Sequence, residues 1–159
     1  VAVLSNPVNL AKAVQLKAAV ELARRVSRPQ SAKPQPIETL EAAVALLRPA
    51  LIDKKKEHFV ALLLDNRHHA IRLAPISVGS LSASLVHPRE LFHEAIRASA
   101  AAMIIAHNHP SGDPAPSEHD TTLTKRLVQA GKLLGIEVLD HVIVAARGSV
   151  SLKALGIVA

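Results

Sequence analysis

The chain contains no cysteine, no tryptophan and no tyrosine, and only two phenylalanines among its 159 residues. Without cysteine there is no disulfide framework, no thiolate nucleophile and no cysteine-held metal, so any bound ion must sit on His, Asp or Glu. With so few aromatics the core has to be built mainly from Leu, Val, Ile and Ala, and too few aromatic side chains are present for a single-strand stacking platform. No apolar run reaches the roughly 20 residues that span a bilayer. The N-terminus shows no basic segment leading into an apolar one, as an export signal would. The expectation is a soluble, cytoplasmic chain with no membrane partner.

What is present points to a folded domain. Apolar residues make up 49% of the chain, enough for a sizeable core and too many for wholesale disorder. The length suits one domain with a short appendage. The net charge of +6 is unevenly placed: residues 1–56 hold ten Lys/Arg against four acids, and the remainder is neutral. A basic N-terminal region can add affinity for phosphate, so DNA is a candidate partner there, while the neutral remainder does not form a nucleic-acid cradle.

Strong helix formers follow Asn9, an N-cap residue, through residues 9–27. "RPQSAKPQP" reads as a linker, and "ETLEAAVALLR" as a helix that stops before Pro49. "EHFVALLLD", "AIRLAPISV" and "GSLSASLVHP" read as three strands, with "NRHH" turning between the first two. Pro88 opens a helix with Leu91, Ala95 and Ala98 or Ser99 on one face. "AAMIIA" is a buried-type strand. Ser117 starts a helix with Leu123, Leu127, Ala130 and Leu134 on one face, and Gly135 is placed to cap its end. "IEVLDHVIVAA" and "SVSLKAL" read as a closing strand pair.

The stretch carrying chemistry is "AHNHPSGDPAPSEHD", residues 106–120. Residues i and i+2 of a strand share a face, so His107 and His109 can aim both imidazoles at one point where "AAMIIA" ends. Zinc accepts imidazole nitrogen and carboxylate oxygen, and a catalytic site has three protein ligands with one position open. Asp120, in the first turn of the helix begun at Ser117, can be the third ligand. Ser117-x-x-Asp120 also reads as a capping box, which requires no metal. Pro110, Pro114 and Pro116 stiffen the intervening loop.

His107, His109, Ser117 and Asp120 together resemble the JAMM motif of the JAB1/MPN metalloproteases, in the form carried by the bacterial RadC family. "EHFVALLLDNRHHAI", "GSLSASLVHPRELFHEAI", "AAMIIAHNHPSGDPAPSEHD" and "LGIEVLDHVIV" are similar to RadC-family blocks in family order. The resemblance implies an α/β domain with a curved mixed β-sheet flanked by helices, spanning residues 37–159. Residues 1–27 would be an N-terminal helical appendage, the remnant of a helix-hairpin-helix module, and 28–36 a linker. It also implies zinc as cofactor, a peptide or protein substrate, and a glutamate general base at Glu57 that takes a proton from water and returns it to the leaving amine. By the same resemblance Ser117 would stabilise the oxyanion, Ser111 and Gly112 would shape the loop, and Asp140 and His141 would support the site. Read without the resemblance, Glu57 is a charged residue at a strand start after three lysines.

Two features depart from the family. The glycine-rich hairpin expected ahead of the first helix is replaced by "SNPVNL", and Asn108 fills a slot that is Ser or Thr in ubiquitin-cleaving members. Three functions compete: a zinc-dependent peptidase or isopeptidase, a DNA-repair accessory using the JAMM fold as a scaffold with weak, salt-sensitive DNA binding, and a metal-dependent nuclease.

Overall fold

The structure is a computed structural model that describes residues 10–26, 35–79 and 86–158. Its elements are α1 (Leu10–Val26), α2 (Leu40–Leu51), β1 (Glu57–Leu64), β2 (Ala70–Gly79), α3 (Pro88–Arg97), β3 (Ala102–Asn108), α4 (Glu118–Leu134), β4 (Glu137–Ala145) and β5 (Gly148–Ser151). The chain divides into two units, residues 1–33 and 34–159. Helix α1 is the described part of the first, and its side chains from 11 to 23 are exposed. The tract "SNPVNL" up to and including Asn9, residues 28–34 of the expected linker (28–36) and residues 80–85 of the expected third strand lie outside the described residues.

The second unit is built on one sheet in the order β2-β1-β3-β4-β5. β1 runs antiparallel to both β2 and β3, β3 is parallel to β4, and β4 is antiparallel to β5. The uninterrupted apolar character of "VALLL" and "AMIIA" follows from position: β3 is buried along its whole length and β1 from Phe59 onward, as central strands covered on both faces must be. Alternation then assigns the faces. Phe59, Ala61, Leu63, Met103 and Ile105 pack against Leu91 and Phe92 of α3 and Leu123 and Leu127 of α4. Val60, Leu62, Leu64, Ile104 and Ala106 pack against Ala43, Leu47 and Leu51 of α2 on the opposite side.

Parallel strands need a crossover, and α4 is the one that joins β3 to β4. Its start therefore lies beside the carboxyl end of β3, which is where ligand crevices of such sheets form. Ser117 caps α4, and Gly135 ends it with a left-handed φ of 68°, a conformation glycine adopts without steric cost.

Two helix expectations are corrected. α2 does not stop before Pro49 but runs through it to Leu51. Leu47 and Leu51 are fully buried, and that packing outweighs the missing proline N–H, while the last turn still closes through Ile52 N–H to the Arg48 carbonyl at 2.9 Å. On α4 Leu123, Leu127 and Gly131 are buried and Ala130 packs against the same core, whereas Leu134 is 51% exposed.

Gly131 illustrates how closely α4 lies to the chain that returns from it. A Cβ there would sit 2.5 Å from the Ile136 carbonyl oxygen. Gly131→Ala gains about 1 kcal/mol of helix propensity but forces the backbone apart at a cost of roughly 1–3 kcal/mol, so a net loss of up to about 2 kcal/mol is expected. Urea unfolding followed by circular dichroism measures it. A gain in stability would show that the turn yields freely.

Candidate metal centre

β3 delivers the first ligand candidate. Its register sets His107 opposite Phe59 of β1 and beside Ile143 of β4, on the face shared with Met103 and Ile105, under α4. The Phe59 ring stacks on the His107 imidazole with centroids 6.1 Å apart and planes 9° from parallel. His109 follows just past the strand end, its backbone N–H donating to the Val144 carbonyl at 3.1 Å. The two-residue period brings the imidazoles together, with His107 Nε2 and His109 Nε2 2.9 Å apart.

Asp120 arrives from the first turn of α4. Its Oδ1 is 3.2 Å from His107 Nε2, and its Oδ2 is 3.5 Å from His109 Nε2. The capping box is formed as well: Asp120 Oδ2 accepts from the Ser117 N–H at 2.8 Å and from the Ser117 hydroxyl at 2.7 Å, while the Asp120 N–H donates to Ser117 Oγ at 3.1 Å. Capping and convergence on the histidines are thus served by one carboxylate, with the cap holding it in place. The Ser117 hydroxyl proton is directed at Asp120.

This donor set fits a divalent cation. One ligand atom from each of His107, His109 and Asp120 lies within 4.8 Å of the others. The 2.9 Å between the imidazole nitrogens, with 3.2 Å from His107 to Asp120 Oδ1 and 3.5 Å from His109 to Asp120 Oδ2, is close to the roughly 3.3 Å between ligands of a tetrahedral ion bound at about 2.0–2.1 Å. His109 Nδ1 lies 2.9 Å from the Asp113 carbonyl oxygen. A carbonyl only accepts, so Nδ1 carries the proton and a neutral His109 turns a bare Nε2 inward. His107 is fully buried and Asp120 nearly so, so their polar atoms have no water to turn to.

Ionisation follows the same contacts. Burial pushes His107 below the ordinary imidazole value, against the pull of Asp120. His109 is raised, chiefly by its contact with Asp120. For Asp120 burial works against the charged form, yet the histidines and the Ser117 hydroxyl outweigh it and hold the carboxyl well below the usual carboxylate range. His141 is fully buried and held far below the usual value, mainly by desolvation. The centre is therefore a carboxylate facing imidazoles, the charge arrangement a cation stabilises.

The centre opens into a cleft of about 950 Å³ lined by Lys55, Lys56, Glu57, His109, Ser111, Ser117 and Asp120, among others. Glu57 is the first residue of β1, half-buried, two places before Phe59. The family model for the RadC-like JAB domain matches residues 37–157. The chain belongs to the RadC family. Curated relatives within it include UPF0758 proteins from Desulforamulus reducens (49% identical over 147 residues) and Shouchella clausii (48% over 149). A third, from Alkaliphilus metalliredigens, is 50% identical over 146 residues. These alignments cover 92%, 94% and 92% of this chain and 65%, 65% and 63% of the relatives, so the chain spans a little under two thirds of their length.

Within this RadC-family domain, the sheet separates two residues that sequence reasoning had paired. His141 faces the centre, with Nε2 2.8 Å from His107 Nδ1. Asp140 points to the α2 side, where it accepts from Ser151 Oγ at 2.6 Å and from the Lys153 N–H at 3.0 Å. It also accepts from the His141 N–H at 2.7 Å, so Asp140 reaches the centre only through the His141 backbone while it fastens β4 to the segment after it. Adjacent strand residues face opposite ways, and that is the cause. Ser111 lies at the cleft, its hydroxyl accepting from the Asp113 N–H at 3.4 Å.

Two residues near the site were given no structural role from sequence. Asn108, fully buried on β3, bonds both sides of Glu57: its Oδ1 accepts from the His58 N–H at 2.7 Å, and its Nδ2 donates to the carbonyls of Lys54 at 3.2 Å and Lys56 at 3.1 Å. It clamps the start of β1 to the end of β3. Thr124, buried on α4, contacts both His141 and the Asp120 backbone. A polar residue inside an otherwise apolar strand or helix face was the available signal for each. Among the described residues no helix is long and apolar enough to cross a membrane.

Proposed function

We propose that the chain is a zinc-dependent hydrolase acting on a peptide or isopeptide bond. One observation carries the reading: two imidazole nitrogens and a carboxylate converge within 4.8 Å at the wall of a cleft that Glu57 and Ser117 also line. His107, His109 and Asp120 would hold the ion. Zinc bound there supplies a Lewis acid that polarises a carbonyl and brings the pKa of water to about 7. Glu57 takes the proton from the attacking water and hands it to the leaving amine, a division of labour open to a carboxylate that is not itself a ligand. Ser117 turns its hydroxyl from Asp120 toward the oxyanion, a donor contribution on the order of 3 kcal/mol. Ser111 shapes the cleft wall, and His141 supports His107 from behind.

Incubation with linear and isopeptide-linked fluorogenic substrates tests the reaction class. Cleavage should require zinc, stop on addition of EDTA and return when zinc is restored. Zinc-loaded protein that cuts phosphodiesters and no amide would replace this reading with a nuclease.

A further inference from the structure

We propose that Lys55 and Lys56 form a carboxylate-binding subsite beside the metal centre, so that the cleft takes peptides carrying an acidic residue close to the amide presented to Glu57. The inference rests on the amide-hydrolase reading above for the kind of substrate, but the binding it describes is measured without catalysis.

The segment between α2 and β1 reads Asp-Lys-Lys-Lys-Glu over residues 53–57. Lys55, Lys56 and Glu57 line the cleft together with His109, Ser117 and Asp120. Consecutive residues within a strand face opposite ways, but Lys55 and Lys56 lie in a bend ahead of β1, and both line the same cleft. The bend is fastened from inside. Asn108 donates to the carbonyls of Lys54 at 3.2 Å and Lys56 at 3.1 Å and accepts from the His58 N–H at 2.7 Å, so one buried amide grips the chain on either side of Lys55. Asn108 stands between the two histidines of the centre in sequence, and it therefore ties the lysine-bearing segment to the strand that delivers them.

The charges of the cleft are sorted by place. Asp120 is engaged by His107, His109 and the Ser117 hydroxyl. Lys55 and Lys56 are exposed, and among the described residues neither side chain forms an ion pair with a carboxylate. Successive Cα atoms are about 3.8 Å apart, so both lysines stand within about 8 Å of Glu57 along the backbone. A complementary ligand presents a neutral amide at Glu57 and a carboxylate one to three residues away. A nucleic-acid strand is a poorer match, because it carries a charge at every phosphate and brings one against Glu57. Two exposed charge pairs give a preference of roughly 3–10-fold in affinity, and salt screens it.

Fluorescence anisotropy with labelled peptides of one length tests this on the full chain kept in EDTA, where a zinc-dependent reaction is silent. One peptide carries two adjacent glutamates at its centre, a second carries glutamines there and a third lysines. The glutamate peptide should bind roughly 3–10-fold tighter than the glutamine peptide, the lysine peptide should bind most weakly, and the spread should shrink as salt rises from about 0.05 to 0.5 M. The double variant Lys55→Met, Lys56→Met, at exposed positions outside the core, should erase the difference, and Lys55→Arg, Lys56→Arg should keep it. Equal affinity for the glutamate and glutamine peptides, or no measurable binding of either, would overturn the proposal. So would a preference undiminished in the methionine variant, or an oligonucleotide that binds through the same lysines more tightly than the glutamate peptide. Zinc-loaded protein that holds the glutamate peptide through Lys55 and Lys56 but never cuts it would keep the subsite and remove the hydrolase. Cleavage of the glutamate and glutamine peptides at equal kcat/KM would keep the hydrolase and remove the subsite.

Discussion

Glu57→Gln is expected to retain zinc at the wild-type stoichiometry and to lose about 10²–10⁴-fold in kcat/KM on any amide substrate the wild type cleaves. The reasons are positional. Glu57 opens β1, and the strand period sets it on the face of Phe59, whose ring stacks on His107. It lines the cleft beside His109 and Asp120 without belonging to the convergent trio. Asn108 holds the backbone on both sides of it through Lys54, Lys56 and His58, which restricts where the carboxylate can go. Glutamine preserves the size and shape of the side chain and removes its charge and its capacity to accept a proton, so a loss of activity with zinc retained reports on the carboxylate. Metal analysis alongside steady-state kinetics provides the check. Zinc lost together with activity would make Glu57 a ligand, and activity within a few-fold of wild type would remove it as the base.

Asp120→Ala is expected to do two kinds of damage, because one carboxylate has two jobs. Removing it takes away a ligand and should weaken zinc binding beyond the 10–100-fold seen when only an outer partner is lost. It also removes the acceptor for the Ser117 N–H and hydroxyl, which should cost α4 roughly 0.5–2 kcal/mol in a urea titration. Asp120→Asn separates the effects. An amide oxygen can still accept from the Ser117 N–H, so most of the cap stability should return, while the charge that faces the histidines does not. Asn and Ala variants equal in stability and both far less stable than wild type would mean that charge, rather than capping, holds the start of the helix.

Much of this arrangement was legible in residue order. The buried run "AAMIIA", the two-residue spacing of His107 and His109, and the start and stop signals at Ser117 and Gly135 depend on local chemistry, and the structure has each where local chemistry places it. The alternative roles for Asp120 left open by spacing turn out to be compatible, since the cap bonds and the histidine contacts occupy one carboxylate. What was not legible depends on contacts between distant parts of the chain. Pro49 looks like a stop until Leu51 is seen buried against the sheet. Asn108 meets residues more than 50 positions earlier, and Thr124 meets His141 across the helix-to-sheet interface. The separation of Asp140 from His141 is the exception, because strand alternation alone implies it.

Hydrolysis by this domain requires His107, His109 and Asp120 to grip one divalent ion. Metal content by mass spectrometry, measured on wild-type and Asp120→Ala protein purified side by side and exposed to the same zinc, tests this directly. The expected result is close to one zinc per wild-type chain and almost none in the variant. Zinc retained equally by both proteins, or bound by neither, would contradict it.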